Sequence, residues 1–302
     1  MYLQRLFRKN LSISTMKKLF FLLFIHFFYL GKSQMLAQSG WTRNKGGVYA
    51  KVGFYTLSGS NYYTTEGVKT ASNTFHQRAV TVYGEYGINK KMTVILNFPV
   101  VKSHYYRDDS PSIGLGNPQI ELKMAIFRKI PVVSFSVGAE LPMAKQANYS
   151  IARTANNLGI FEQTNLPTGY PDFNYWGTLA VSSGFWQGMG WATIYGQYIV
   201  RGKNINNQAK LGLETGYKWT PKFWTNARLT GWYTASSKTT NVNGSIFNGQ
   251  DTEFTSLGIG AAYQIIKHWS LTFDYQSVNN ILVRPKNTQD APLFQLGISA
   301  EF

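Results

Sequence analysis

Residues 293–302 read LFQLGISAEF, and their alternation decides the fold. Phe294, Leu296, Ile298, Ala300 and Phe302 share one face of an extended strand. Gln295, Gly297, Ser299 and Glu301 share the other, because successive side chains of a strand point to opposite sides. The last residues of a soluble domain are usually frayed. A strand that stays apolar on one face through residue 302 needs something apolar to lie against.

The same alternation recurs upstream. It marks twelve candidate strands, at about 47–56, 77–88, 92–104, 117–127, 132–143, 173–185, 190–201, 207–218, 223–236, 254–265, 269–279 and 291–302. No stretch after residue 40 sustains a helical period. Each candidate is about as long as a tilted strand that crosses a bilayer. The connections alternate in length. Short ones hold Asn89-Lys90-Lys91, Arg128-Lys129-Ile130-Pro131, Trp186-Gln187-Gly188-Met189, Thr220-Pro221-Lys222 and Ile266-Lys267-His268. Between them lie longer connections at 57–76, 105–116, 144–172, 237–253 and 280–290, with 202–206 a short exception. An even number of antiparallel strands, with short turns at one end and long loops at the other, is the layout of an outer-membrane β-barrel.

The strand faces agree with that layout. One face carries Leu96, Phe98, Val100, Ile120, Leu122, Leu211, Leu213, Leu257, Ile259, Leu271 and Phe273. The opposite face carries polar and charged residues, and in a bilayer barrel that face lines the lumen. The expected lumen-lining residues are Lys51, Glu85, Glu121, Lys123, Glu140, Lys210, Glu214, Arg228 and Asp274, with Arg201, Lys218 and Glu301 on the same face. Mixed signs give no clear ion selectivity. They form either a permeation path with a transverse field or a plug of salt bridges. Trp219, Phe223, Trp269 and Phe302 fall near the short turns, and Tyr55, Tyr105, Tyr106, Tyr175 and Tyr233 near the long loops, as two interfacial girdles would. The final strand closes the barrel on the strand near Val48 to Phe54, which removes both sheet edges. A last strand of this pattern ending in Phe302 resembles the signal read by the barrel-assembly machinery.

Composition sets further bounds. Aromatic residues make up 16% and charged residues 15% of 302 residues, and cysteine is absent, so disulfides and thiolate metal sites are excluded. The basic Met16-Lys17-Lys18, then LFFLLFIHFFYL over residues 19–30 and a small, polar exit, has the anatomy of a secretory signal. The apolar core of 12 residues is too short to span a bilayer as a helix. We therefore expect residues 1–38 to be a signal peptide with an N-terminal extension, and residues 39–302 to be one Gram-negative outer-membrane barrel. Removal of Arg5, Arg8, Lys9, Lys17, Lys18 and Lys32 lowers the net charge from +16 to +10. Arg43, Lys45, Lys90, Lys91, Arg128, Lys129, Lys222 and Lys267 lie in the N-terminal segment and short turns, where membrane phosphates are the natural partners. Their dispersion argues against nucleic acid.

The stretch GLGNPQIELKMAIF, Gly114 to Phe127, resembles a recurring segment of the phenol meta-pathway type of outer-membrane barrels. Asn117-Pro118 stands where that family often has an acidic residue. The resemblance implies a transporter of small, often aromatic or apolar compounds. His268-Trp269-Ser270, followed by Asn279 and Asn280, has the spacing of outer-membrane phospholipases, which are also barrels. Here the alternation sends Ser270 inward at the turn end, so no catalytic residue is expected. No GxSxG, HExxH, P-loop or GxGxxG is present, and His76, His104 and His268 are scattered, so neither metal nor cofactor is expected. The loop at 144–172 either folds into the mouth, with Ile151, Leu158, Ile160 and Phe161 as contacts, or stays on the surface. The expected function is a passive channel for small molecules, hydrophobic or aromatic ones included. The alternative is a non-conducting structural or surface-interaction barrel, with an outer-membrane lipid hydrolase as the third reading.

If the barrel reading is right, the detergent-folded chain migrates differently on a gel before and after boiling. A chain that is soluble without detergent and shows no such shift would contradict it.

Overall fold

The computed structural model describes residues 39–107, 109–202, 205–236 and 251–302. The expected signal over residues 1–38 lies outside the described residues, as do residues 237–250 of one long loop.

Twelve long strands follow in chain order: β1 (Val48–Tyr63), β2 (Lys69–Asn89), β3 (Met92–Tyr106), β4 (Gln119–Phe127), β5 (Val132–Glu140), β6 (Asn174–Phe185), β7 (Gly190–Val200), β8 (Gln208–Thr220), β9 (Phe223–Thr234), β10 (Phe254–Ile266), β11 (Trp269–Asn279) and β12 (Leu293–Glu301). Each pairs antiparallel with the next. The sheet closes where β12 meets β1, from Tyr49↔Glu301 to Leu57↔Leu293. Val48 and Phe302 extend the seam with reciprocal backbone hydrogen bonds of 3.0 and 2.9 Å. The segment that opened the sequence reading thus completes the barrel. Hydrocarbon offers no partner for an unpaired backbone group, so closure is what allows a sheet to span it.

Burial is inverted relative to a soluble sandwich. Ile194, Leu213, Ile259 and Leu296 are 64, 46, 54 and 61% exposed. Ser134, Ser136, Thr178 and Thr193 are all buried. An apolar belt outside and a polar interior make this an outer-membrane barrel. At the turn end Trp186, Trp219, Trp269 and Phe302 are exposed. Trp219 meets Tyr217 edge to face at 4.7 Å between centroids. At the loop end Tyr175 is exposed and stacks on Phe173. Tyr55 departs from the expected girdle. It faces inward, and its hydroxyl accepts a hydrogen bond from Gln77 Nε2 at 2.6 Å. Tyr106 likewise packs on the buried Phe75, at 5.4 Å.

Two differences from the sequence reading shape the mouth. First, β1 and β2 run on through most of 57–76, which reads as a loop. Their ladder continues to Tyr63↔Lys69 and turns at Gly67 (φ 77°). Beyond the bilayer a strand needs no lipid-facing apolar row, so the alternation fades while Ser, Thr and Tyr still favour extended backbone. Second, β3 carries a bulge: Val80 pairs with Val101, but Thr81 pairs with Pro99. One extra residue flips the faces beyond it. Val101 becomes the exposed residue in place of Val100, and His104 turns inward, 3% exposed.

The exposed belt yields a stability prediction. Leu213→Arg, at mid-strand on the lipid face, should cost about 2–4 kcal/mol in urea unfolding from vesicles. A cost near zero would mean that Leu213 does not meet lipid.

Candidate functional site

The interior is built from three levels. At the turn end, residues 39–47 enter the barrel and form a floor. The Gly40 amide donates to Ser182 Oγ at 2.7 Å, and Ser134 Oγ donates to the Ser39 carbonyl at 3.2 Å. The Arg43 amide donates to Thr93 Oγ1 at 2.8 Å. The Arg43 guanidinium joins Glu85 on β2, at 2.6 Å, to Glu301 on β12, at 2.5 Å. Arg43 was expected at membrane phosphates. Two inward carboxylates beside the seam hold it inside instead, where a paired charge is screened less than at the surface. Lys45, Lys90, Lys91, Arg128, Lys129, Lys222 and Lys267 are exposed.

Above the floor lies a cavity of about 310 Å³, lined by Lys51, Glu85, Arg228 and Asp274 among others. Asp274 pairs with Lys51 at 2.9 Å and also with Arg228. Glu214 is opposite Arg228 in the β8–β9 ladder and is 6% exposed. Tyr83 Oη donates to Glu85 Oε1 at 2.5 Å. Lys123, 2% exposed, lies within coulombic range of Glu85.

The loop half is divided by the segment at 144–172. Its outer part is a hairpin, Tyr149–Ile151 against Gln163–Asn165. Leu158, Ile160 and Phe161 are exposed there, as is Ile151, so the four expected apolar contacts do not make the constriction. Residues 166–170 make it. Leu166 and Thr168 are fully buried. Ser112 Oγ donates to the Leu166 carbonyl at 2.7 Å, Thr168 Oγ1 to the Leu115 carbonyl at 2.6 Å, and Asn117 Nδ2 to the Tyr170 carbonyl at 2.9 Å. These bonds satisfy backbone that would otherwise be costly to bury.

Tyr170 stands between two cavities. The larger, about 390 Å³, is lined by Glu121, Glu140, Trp176, Arg201, Lys210 and Trp232 among others. Trp176 Nε1 donates to Glu121 Oε2 at 2.7 Å. Asn117 and Gln119 donate to the two oxygens of Glu140, at 2.9 and 3.2 Å. Lys210 Nζ sits 3.6 Å from the Trp232 ring centre, and Arg201 lies over Tyr170 at 4.4 Å. Gly138 makes room for Trp176: an added Cβ would lie 2.3 Å from its ring. The other cavity, about 320 Å³, holds Lys102 and His104.

Of the nine residues singled out from the sequence, Lys51, Glu85, Arg228 and Asp274 surround the turn-side cavity. Glu121, Glu140 and Lys210 surround the larger loop-side one. Lys123 and Glu214 are buried in the wall. Lys218 is exposed at the turn end and does not join them. Sequence reasoning missed Arg43, Lys102, His104, Tyr170 and the two tryptophans. Pro99 inside a strand was the available signal for the bulge that turns Lys102 and His104 inward. Nothing local to residues 166–170 marks them as a constriction. His268 stacks on Phe302 at 5.1 Å, its Nδ1 lies 2.6 Å from the Glu301 carbonyl, and Ser270 is buried. The contacts of His268 tie the turn before β11 to the closing strand.

The chain resembles an outer-membrane channel from Pseudomonas putida F1 in structure, with a TM-score of 0.64 at 12% identity over 90% of this chain and 100% of that one. A weaker likeness links it to the KdgM porin (TM-score 0.45, 8% identity, 83% of this chain and 99% of that one). Another links it to the CymD monoaromatic hydrocarbon channel (TM-score 0.43, 9% identity, 86% and 88%). No family model matches the sequence, and no curated protein matches it.

The triad around Asp274 generates a prediction. Asp274→Ala leaves Lys51 and Arg228 facing each other, and should cost about 3 kcal/mol in urea unfolding. A loss below about 1 kcal/mol would show that water solvates both cations and the pairing is incidental.

Proposed function

We propose that this barrel is a passive channel of the outer membrane for small molecules, hydrophobic or aromatic ones included. The observation that carries the reading is the chain of cavities inside the wall. The turn-side cavity and the larger loop-side one share Tyr83 and Asn97. The two loop-side cavities share Tyr170. Side chains of Tyr83, Asn97 and Tyr170 stand at those divisions. The lining residues Lys51, Glu85, Glu121, Glu140, Lys210, Arg228 and Asp274 shape the path, while Lys123 and Glu214 hold its wall. Both signs face the lumen, which fits a path with weak ion selectivity. Aromatic rings beside the charges give planar, apolar solutes a surface to lie on. The Pseudomonas putida barrel of the same fold is described as a channel, which supports the reading.

On the same reading, the exposed lysines and arginines of the short turns meet lipid phosphates. The strand ending in Phe302 is the segment presented to the barrel-assembly machinery. The second reading is a non-conducting structural barrel. It is favoured by the Arg43 floor, which ties Glu85 to Glu301 across the turn end.

Planar-bilayer recording of the refolded chain separates the two. The channel reading predicts small, discrete current steps, and Lys210→Glu should shift the reversal potential toward cation preference. A folded, heat-modifiable sample that stays silent would favour the structural barrel.

A further inference from the structure

The larger loop-side cavity has two differently charged walls. Glu121 and Glu140 come from β4 and β5, and Arg201 and Lys210 from the other side, at the end of β7 and on β8. Asn174 on β6 and Gln197 on β7 lie between the two sets, Asn174 opposite Glu140 and Gln197 opposite Lys210 in the ladders. Asn174 Oδ1 and Gln197 Oε1 have no hydrogen-bond partner among the described residues, but both oxygens are buried in the wall rather than open to the cavity. Both side chains are more than nine-tenths buried, at 3 and 6% exposure. Trp176 engages one oxygen of Glu121, and the other oxygen has no hydrogen bond among the described residues. That oxygen of Glu121 is an acceptor suited to an ammonium group.

The opposite wall is suited to an anion. Lys210 makes no ion pair within 4.0 Å among the described residues; its ammonium rests on the face of Trp232. A lysine so held, with carboxylates in coulombic range but none in contact, is placed to receive a carboxylate from a ligand. The cavity of about 390 Å³ falls within the range of small-ligand sites. Tyr83, Ile95 and Tyr170 supply an apolar flank.

We propose that this cavity is a binding site for a small zwitterion of amino-acid type: an ammonium at Glu121, a carboxylate at Lys210, and an apolar or aromatic body against the flank. The site deepens the channel reading and rests on it, since a resident solute site needs a path. Binding is measured without flux, so the two can fail separately.

The test is calorimetric titration of the detergent-folded barrel with L-phenylalanine and two analogues of the same body. 3-Phenylpropionate lacks the ammonium and phenethylamine lacks the carboxylate. L-Phenylalanine should bind about 10-fold or more tightly than either, a difference of about 1.4 kcal/mol. Glu121→Gln should abolish its advantage over 3-phenylpropionate, and Lys210→Met its advantage over phenethylamine. Both variants should keep the heat-modifiable shift of the folded barrel. Equal binding of 3-phenylpropionate would make this a plain anion site and overturn the proposal. Equal binding of phenethylamine would make it a plain cation site, with the same consequence. No binding of L-phenylalanine by a folded sample that conducts would overturn the proposal and leave the channel standing.

Discussion

The pairing of β12 with β1 is the constraint on which everything else depends. An open sheet would present unpaired amides and carbonyls to hydrocarbon, at several kcal/mol each. Once the sheet is closed, the strand period does the rest. Every second residue meets lipid, and its neighbours are sent inward. That is why Ile194 and Leu213 are exposed while Thr193 and Glu214 are buried. It is also why the chain can hold Lys123, Glu85 and Asp274 in a membrane protein at all. Each has a partner or an opposite charge nearby within the lumen.

The lumen is narrow because its residues are large and paired. Arg43 draws the N-terminal segment across one end by reaching Glu85 and Glu301. Residues 166–170 are drawn into the other by hydrogen bonds to Asn117, Ser112 and Leu115. Both segments are held by hydrogen bonds, and at the turn end by ion pairs as well. Between them the charges segregate into small, local sets. The Asp274 triad stiffens the turn half. The loop half leaves Glu121 and Lys210 lining a cavity with no ion pair among the described residues. The first arrangement serves stability, and the second is the one proposed to take a solute.

The barrel was readable in the sequence because two strong periodicities coincide there: alternation within strands, and alternation of short and long connections. LFQLGISAEF at 293–302 fixed the closing strand, and the lumen-facing set followed from counting by twos. Counting by twos failed where the backbone broke the count. The bulge at Pro99 reversed the faces of the rest of β3 and turned His104 inward. It also failed where lipid no longer enforces a pattern, so the upper parts of β1 and β2 read as loop. Contacts made by non-repetitive segments were out of reach. Arg43 and Tyr170 gain their roles from partners far away in sequence, and Tyr55 from an inward register that its ring chemistry does not announce.

Inside-out polarity can be tested position by position, because the chain contains no cysteine of its own. Single cysteines at 208, 209, 210 and 211 of β8, in the barrel reconstituted into vesicles, would be exposed to a water-borne thiol reagent. Gln208 and Lys210 line the loop-side cavity, while Leu211 is exposed on the outer face. Reaction at 208 and 210 with protection at 209 and 211 is the predicted pattern. Reaction at 209 and 211 alone would contradict the barrel, and silence at all four would mean that water does not enter this lumen.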